Sequence, residues 1–422
     1  TITTTVAKIT NNFTPYIASS DDNSTVTLNF GQDSSFAGAT TAQGNQDSND
    51  IGDFFYEPPN SFLALCSQSL PDPAVIPSEN FNTVLYSGNN STNAITGVGF
   101  QPDFTWFVAR SDGRSRSLVD SVRGFNGTSA RVIQSESTNA QWESAYINSL
   151  NSDGFTVSGS ENYINNSSHT YVAWNWKAGT SVSGNSTGSG DDVAYTGSIN
   201  TAAGFSIIKY GGNGTTGHQI PHRLGVVPDA IWIKNITTQS WNCWFPNTSM
   251  GGTKMMQLDN TGAASSQSWI NNKMPTTSVV ELEAGAATNT RDGDSNPQPY
   301  IMYSWKSIEG FSKIGEYKGN GNANGQFVHT GFAVAWVIIK PSSRTGNWFI
   351  ANNKSSPNNV VDKVIFANTT AAEYTDPNAD CKKDFLSNGF KIRTTDDNTN
   401  ENNATYVYIA FAETPTKYSN GK

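Results

Sequence analysis

The chain has 422 residues and a formal net charge of −9, and only 14% of its residues are charged, against about 25% in an ordinary soluble protein. The acidic balance argues against a general nucleic-acid binder, which needs clustered Lys and Arg to neutralise phosphates, and no apolar run approaches the roughly 18 residues of a membrane-spanning helix. Aromatics reach 11%, too many for a disordered polar chain, so the abundant Asn, Ser, Thr and Gly are expected in turns and on solvent-facing strand positions around real cores.

The opening, Thr1 to Gly31, alternates apolar and polar residues and reads as strands broken by a polar turn at Asp21, Asp22 and Asn23. It shows no signal-peptide pattern and has no initiating Met, so the chain is expected to be a processed product or the ordered part of something longer. Residues 31–53 carry almost nothing apolar and read as an exposed loop, with the acids Asp47, Asp50 and Asp53 as a weak metal candidate. Pro58 and Pro59 then remove two backbone donors, which places DFFYEPPNSFLALCSQSLP, Asp53 to Pro71, at a turn or a sheet edge.

The phrases NFGQ (Asn29 to Gln32) and FFYEPPNSFLAL (Phe54 to Leu65) resemble the closing strands of SPRY domains, with Asn60 and Ser61 where a Gly is usual. The resemblance implies a partial SPRY-like β region over 1–71, its other strands lying upstream of Thr1. A proline-bearing linker, 72–80, follows.

The rest of the chain is one unit written three times. Tyr86, Tyr210 and Tyr317 each begin a Tyr-x-Gly-Asn corner, followed by an apolar residue (Ile95, Ile220, Phe327) and a core strand: FTWFVAR, AIWIK and WVIIK. Each unit closes on a strand with aromatics at matching places: Tyr171 and Trp176, Tyr300 and Trp305, Tyr406 and Phe411. Periods of this size are too long for solenoid repeats that cannot bury a core alone. The expectation is an all-β chain of tandem antiparallel sandwiches of jelly-roll or lectin-like type, with self-standing repeats over 81–190, 191–309 and 310–422. Convincing helical periodicity is absent; the best candidate, Asn358 to Phe366, is as easily a strand.

The sequence carries no motif of reaction chemistry. His222 and His329 align just before a corner and, with His169 and His218, have no recurring Cys, Asp or Glu around them, which fits hydrogen-bonding turn histidines. Asp292, Asp294 and Asn296 begin like a calcium loop, which then fails at Pro297 and Tyr303. Arg110, Arg114 and Arg116 read as a solvated basic loop. Trp174, Trp176, Trp241, Trp244, Trp336, Trp348 and Phe349 form a stripe better suited to core filling than to sugar stacking, and Cys66, Cys243 and Cys381 to small buried side chains than to disulfides or metal ligands. The sequons at Asn12, Asn23, Asn90, Asn126, Asn213, Asn235 and Asn403 follow from composition. No catalytic, cofactor, metal or binding residue is assigned, and no cofactor is implied; a hydrolase built on two carboxylates would leave no linear signature.

The SPRY-like tail joined to GFQPDFTWFVAR, SDGFTVSG, TYVAWNWKAG and the closing YVYIAFAETPTKYSN resembles virion proteins of marine bacteriophages described as tail-fibre or fibre-associated proteins. The resemblance implies a non-catalytic surface component of the virion, homotrimeric as most fibres are, that adsorbs to a host-surface glycan or protein receptor and touches other virion proteins. It implies neither nucleic-acid binding nor membrane insertion. Three rivals remain: a capsid or tail decoration protein without a receptor role, a glycan-depolymerising tailspike, and a secreted carbohydrate-binding module.

Overall fold

The computed structural model of the chain describes residues 27–69, 73–267, 269–375 and 381–415. Two compact units divide it, Thr1–Leu70 and Pro71–Lys422.

In the first unit the strands expected within residues 1–26 lie outside the described residues. The part expected to be SPRY-like strands contains, among the described residues, turns, a short 3-10 turn and one isolated bridge, Asn45 to Phe54. Side-chain oxygens take the backbone donors that a ladder would use. Asp33 accepts from the N–H groups of Ser35 and Ala37, and Asp47 from those of Asn49, Ile51 and Ala64, at 2.6–3.1 Å. Asn and Asp compete with regular structure in this way. The segment expected as an exposed loop therefore has a buried pivot, since Asp47 is buried beneath it.

The second unit is all-β and antiparallel, as its alternating apolar pattern requires. Each repeat builds one main sheet. In the first, the order is Phe81–Ser87, Thr170–Trp176, Phe104–Ala109, Ser117–Asp120; in the second, the strands Phe205–Gly211, Pro299–Trp305, Ala230–Asn235 and Asn242–Trp244 stand in the same sequence; in the third, Ser312–Lys318, Thr405–Pro415, Phe332–Pro341 and Phe349–Asn352. The second sheet gains two strands at one edge, Thr180–Asn185 and Ala194–Asn200. Thr180–Asn185 falls within the stretch expected for the first repeat yet pairs in the second. A smaller three-stranded sheet covers the outer side of each: Asn93–Ile95 with Gly154–Val157 and Ile147–Asn151, then Thr187–Gly188 with His218–Pro221 and Val279–Leu282, then Phe327–His329 with Gly389–Ile392 and Lys383–Leu386.

Both faces of the main sheets are consequently buried. The outer faces pack in three separate clusters, one per repeat. The inner faces share a single cluster that runs through all three repeats, with Phe81, Trp106, Trp174 and Trp176 from the first, Phe205, Trp232, Trp241 and Trp305 from the second, and Trp336, Trp348 and Phe411 from the third. Rings meet across every repeat boundary: Trp106 and Trp232 at 6.1 Å, Trp232 and Trp348 at 6.1 Å, Trp174 and Trp336 at 5.9 Å, Phe81 and Phe411 at 4.8 Å. The three repeats stand around a common centre. They were expected as self-standing; a sheet with apolar residues on both faces needs two partners, and here one of them is the other repeats.

Register corrects one alignment. Ile95 faces Phe155, Ile220 faces Val280, and it is Val328 that faces Phe390. Phe327, expected to match Ile95 and Ile220, is one residue off, and because strand side chains alternate it turns outward and is 37% exposed. Asn358 to Phe366 resolves as a strand at Lys363–Phe366.

Candidate functional site

The repeated corner is a structural joint. Tyr86, Tyr210 and Tyr317 are buried, stack on Tyr171, Tyr300 and Tyr406 at 5.0–5.2 Å, and donate their hydroxyls to the carbonyls of Ile164, Thr288 and Thr399 at 2.7–2.9 Å. Burial raises all three hydroxyl pKa values well above the usual phenol range. The motif Asn (Asn89, Asn213, Asn320) gives its backbone N–H to the side-chain oxygen of a wholly buried second asparagine, Asn165, Asn289 or Asn400. The Gly between is forced by contact: a Cβ on Gly88 or Gly319 would lie 2.1–2.2 Å from a backbone oxygen. The buried asparagines lie outside the motif and were missed in the sequence; their alignment in the turn before each closing strand is the signal that finds them.

The basic loop is corrected as well. Arg114 is half-buried and pairs with Asp112, but Arg110 is held by Glu373 of the third repeat through two nitrogens, at 2.7 and 3.1 Å, and Arg116 is wholly buried. The Arg116 guanidinium donates to the carbonyls of Arg114, Phe366 and Ala371; burial first of all lowers its pKa to about 10, against the raising effect of Glu136. Arg116, Trp241 and Trp348 occupy one position in the three repeats, just before the fourth strand. Each reaches the neighbouring repeat at the same place, to the carbonyl of Phe366, Gln134 or Gln257 at 2.7–3.3 Å. Lys234 and Lys340, also wholly buried, do likewise: their ammonium groups donate to the carbonyls of Thr138 and Asn139, and of Thr261 and Gly262. At the boundary of the first and second repeats, the buried Arg123–Asp120 pair also takes the Tyr303 hydroxyl, at 2.6 Å from Asp120. Arg116, Arg123, Lys234 and Lys340 thus serve as latches between repeats.

The histidines do not converge. His222 is buried and satisfied, its Nε2 3.1 Å from the Thr276 carbonyl and its Nδ1 accepting the Leu224 N–H, and burial lowers its pKa. His218 is buried against Asn289, with its pKa lowered in the same way. His169 lies beside Asp112 and Ser111, and His329 is exposed. The oxygens of Asp292 are taken by Asp294 and Asn296, whose hydrogen bonds lower its pKa. Among the described residues no cluster of His, Cys, Asp and Glu is arranged for a metal ion. The tryptophan stripe with Phe349 is buried throughout, Cys243 and Cys381 are buried, and Cys66 is exposed. Of the sequon asparagines, Asn213 and Asn235 are buried, Asn90, Asn126 and Asn403 exposed, and Asn12 and Asn23 outside the described residues.

The hollows of the second unit differ in kind. A void of about 10 Å³ at the centre is lined by rings of all three repeats and is no larger than one water needs. A hollow of about 330 Å³ along Glu316, Phe327 and His329 is open and shallow, and one of about 180 Å³ lies between Asn82, Asn353 and Glu413. The fourth, about 230 Å³, is confined to the second repeat; Met255 and Trp269, which pack in that repeat's outer cluster, are among its apolar lining, and Asn242, Gln257, Asn260, Thr261, Ser265 and Gln267 among its polar lining.

Comparison of the repeats explains why this cavity exists. Asn242 stands opposite Ile233, as Phe349 stands opposite Ile339, and Gln257 follows Met256 as Phe366 follows Ile365 in the matching strand. In the third repeat Phe349 and Phe366 pack edge to face at 5.3 Å and fill the space. The second repeat puts two amides there, and the space stays open. Asn242 is wholly buried; its Nδ2 donates to the carbonyls of Ser240 and Ala287, while its Oδ1 has no donor among the described residues. The Asn260 amide bridges Gln257 Oε1 and the Gly262 N–H, and the Gln267 amide donates to Ser265. No titratable side chain lines the cavity. It is a neutral site of amides and hydroxyls against an apolar wall.

Residues 76–415 match a protein family described as a domain of unknown function, DUF7483. No curated protein and no solved structure matches the chain. The matched span takes in all three repeats and the aromatic centre they share, and over it the chain belongs to the DUF7483 family.

Proposed function

We propose that the chain is a non-catalytic component of a bacteriophage virion fibre, displayed on the particle surface, that adsorbs to a host-surface glycan or protein. The observation that carries this reading is the neutral amide-lined cavity of the second repeat, opened where the third repeat is filled by Phe349 and Phe366. A fold closed around its own centre and latched by buried cations supplies the rigid mount that a binding site on an exposed particle needs. The cavity offers hydrogen-bonding groups without charge or a paired carboxylate, which suits recognition better than hydrolysis.

The test is adsorption of the labelled chain to intact host cells, before and after their surface polysaccharide is stripped. Saturable adsorption lost on stripping supports a glycan receptor, and adsorption that survives stripping but not protease treatment supports a protein one. Absence of saturable adsorption overturns the reading.

A second reading, a decoration protein without a receptor role, is favoured by the first unit alone. There Tyr56, Phe62 and Leu65 are 60–80% exposed, the kind of apolar surface that another virion protein would cover. Retention of the chain on receptor-free virions lacking it, with no adsorption to cells, would favour this reading.

A further inference from the structure

We propose that the cavity of the second repeat binds one neutral pyranose sugar, with the apolar side of the ring against the Trp269 and Met255 wall and its hydroxyls on the amide side. The inference rests on the adsorption reading for its setting and on the chemistry of the cavity for its content.

Three features select the ligand. Charge comes first: the lining contains amides, hydroxyls and apolar side chains only, so an ionic ligand would lose hydration without gaining a counter-charge. Hydrogen-bonding capacity comes next. Asn242 Oδ1 and Gln267 Oε1 are acceptors, and Gln257 Nε2 is a donor, left without partners among the described residues once the internal amide bonds are made. A hydroxyl both donates and accepts, so a polyol matches this mixed set where a pure donor or a pure acceptor would leave groups unpaired. Shape comes last. The space, about 230 Å³, is of the order of a single ring, and its lining combines an indole and a methionine with amides and hydroxyls, the two kinds of surface that a pyranose presents.

The positions that open the cavity are filled differently in the other two repeats. Phe349 and Phe366 stand there in the third, packed on each other, and Ser117 and Gln134 in the first. The wall at Thr261 and Gly262 is fixed from behind by Lys340 of the third repeat, so the site is preformed by the same latch that joins the repeats.

The experiment is saturation-transfer NMR on the full chain with methyl glycosides of glucose, galactose, mannose and N-acetylglucosamine, with glucuronic acid as the charged control. Gln257→Phe, which borrows the residue of the third repeat, should fill the cavity and weaken binding of a neutral glycoside at least about tenfold. Gln267→Ala, at the rim, should weaken it without touching the core and guards against a misfolded Gln257→Phe. Binding of a neutral glycoside that both variants weaken, with glucuronic acid inert, is the expected result. Binding that neither variant weakens, binding of glucuronic acid alone, or no binding overturns the proposal. Cell adsorption measured on the same variants separates the two readings: if Gln257→Phe loses the glycoside but still adsorbs to cells, the sugar site stands and the receptor contact lies elsewhere. If the wild type binds the glycoside but never adsorbs, the site stands and the adsorption reading falls.

Discussion

At the scale of residues, identical side chains do different work according to what their polar atoms meet. The indole N–H groups of Trp106, Trp174, Trp176, Trp232, Trp305 and Trp336 are buried and meet no oxygen or nitrogen acceptor among the described residues; they lie among other rings, Trp106 perpendicular to Trp174 and Trp176 to Trp336, where an N–H can rest on a π face. Trp241 and Trp348 instead donate to the carbonyls of Gln134 and Gln257. Trp348→Phe should therefore cost about 1 kcal/mol more than Trp232→Phe, because only the former removes an indole hydrogen bond, to the carbonyl of half-buried Gln257; urea titration of the two variants measures the difference. Lys340 gives a pH prediction. Burial, and after it the charge of Arg344, lowers its pKa from 10.5 to about 7, against an opposing effect of Cys243. Between these values the folded chain has released a proton that the unfolded chain still holds, so the Lys340 contribution makes stability rise with pH through that window and adds no slope below it. Replacing the ammonium by an apolar chain, Lys340→Met, should flatten the rise from pH 7 to 10, leaving the part due to Lys234, whose pKa burial lowers to about 8. Chemical denaturation across that range, wild type against variant, checks it; an unchanged slope would show that Lys340 keeps its proton in the folded chain across that range and that burial does not lower its pKa.

At the scale of elements, the corner and the inter-repeat contacts set how the strands meet. Tyr210→Phe removes a hydroxyl whose partner, the Thr288 carbonyl, stays buried, and should cost about 1–3 kcal/mol by thermal or chemical unfolding while leaving the Tyr300 stack in place. Arg123→Met strands the buried Asp120 carboxylate and should be worse, about 3–5 kcal/mol, whereas the joint change to Met and Leu should recover only part of it, because it strands the Tyr303 hydroxyl and the N–H groups of Val122 and residue 123. These elements were unequally legible in the sequence. The all-β character, the three corners and the closing strands could be read, because period-2 alternation and Gly-Asn turns are local signals. Phe327 was misplaced by one residue because spacing alone cannot distinguish it from Val328; only pairing to Phe390 does. Arg110 and Arg116 looked solvated because their partners, Glu373 and the Phe366 and Ala371 carbonyls, are some 250 residues away in sequence. The cavity was invisible for the same reason: Asn242 and Gln257 are ordinary polar residues until they are set against Phe349 and Phe366, and that comparison needs the register of the fourth strand.

At the scale of the whole molecule, the shared centre decides how stability is distributed. Were the repeats beads, each would bury its own core, and removing one would leave the other two with their native melting behaviour. Instead the inner faces of all three main sheets lie in one cluster, and each repeat closes a gap in the other two: Trp336 and Phe411 of the third cover Trp174, Trp176 and Phe81 of the first, while Trp348 covers Trp232 and Phe245 of the second. Ending the chain at residue 309 would uncover these indoles and leave the Arg110 and Arg116 guanidinium groups without their partners in the third repeat. The uncovered apolar face is costly against the stability of a typical domain, about 5–15 kcal/mol, and the guanidinium groups lose the bonds that offset their burial. The intact Pro71–Lys422 unit should then unfold in one transition, tryptophan fluorescence and far-ultraviolet circular dichroism falling together, and the shortened chain should show no cooperative melt. Two separate transitions in the intact unit, or a native-like melt in the shortened one, would mean that the outer clusters suffice and that the aromatic centre is an interface between domains rather than the core of one.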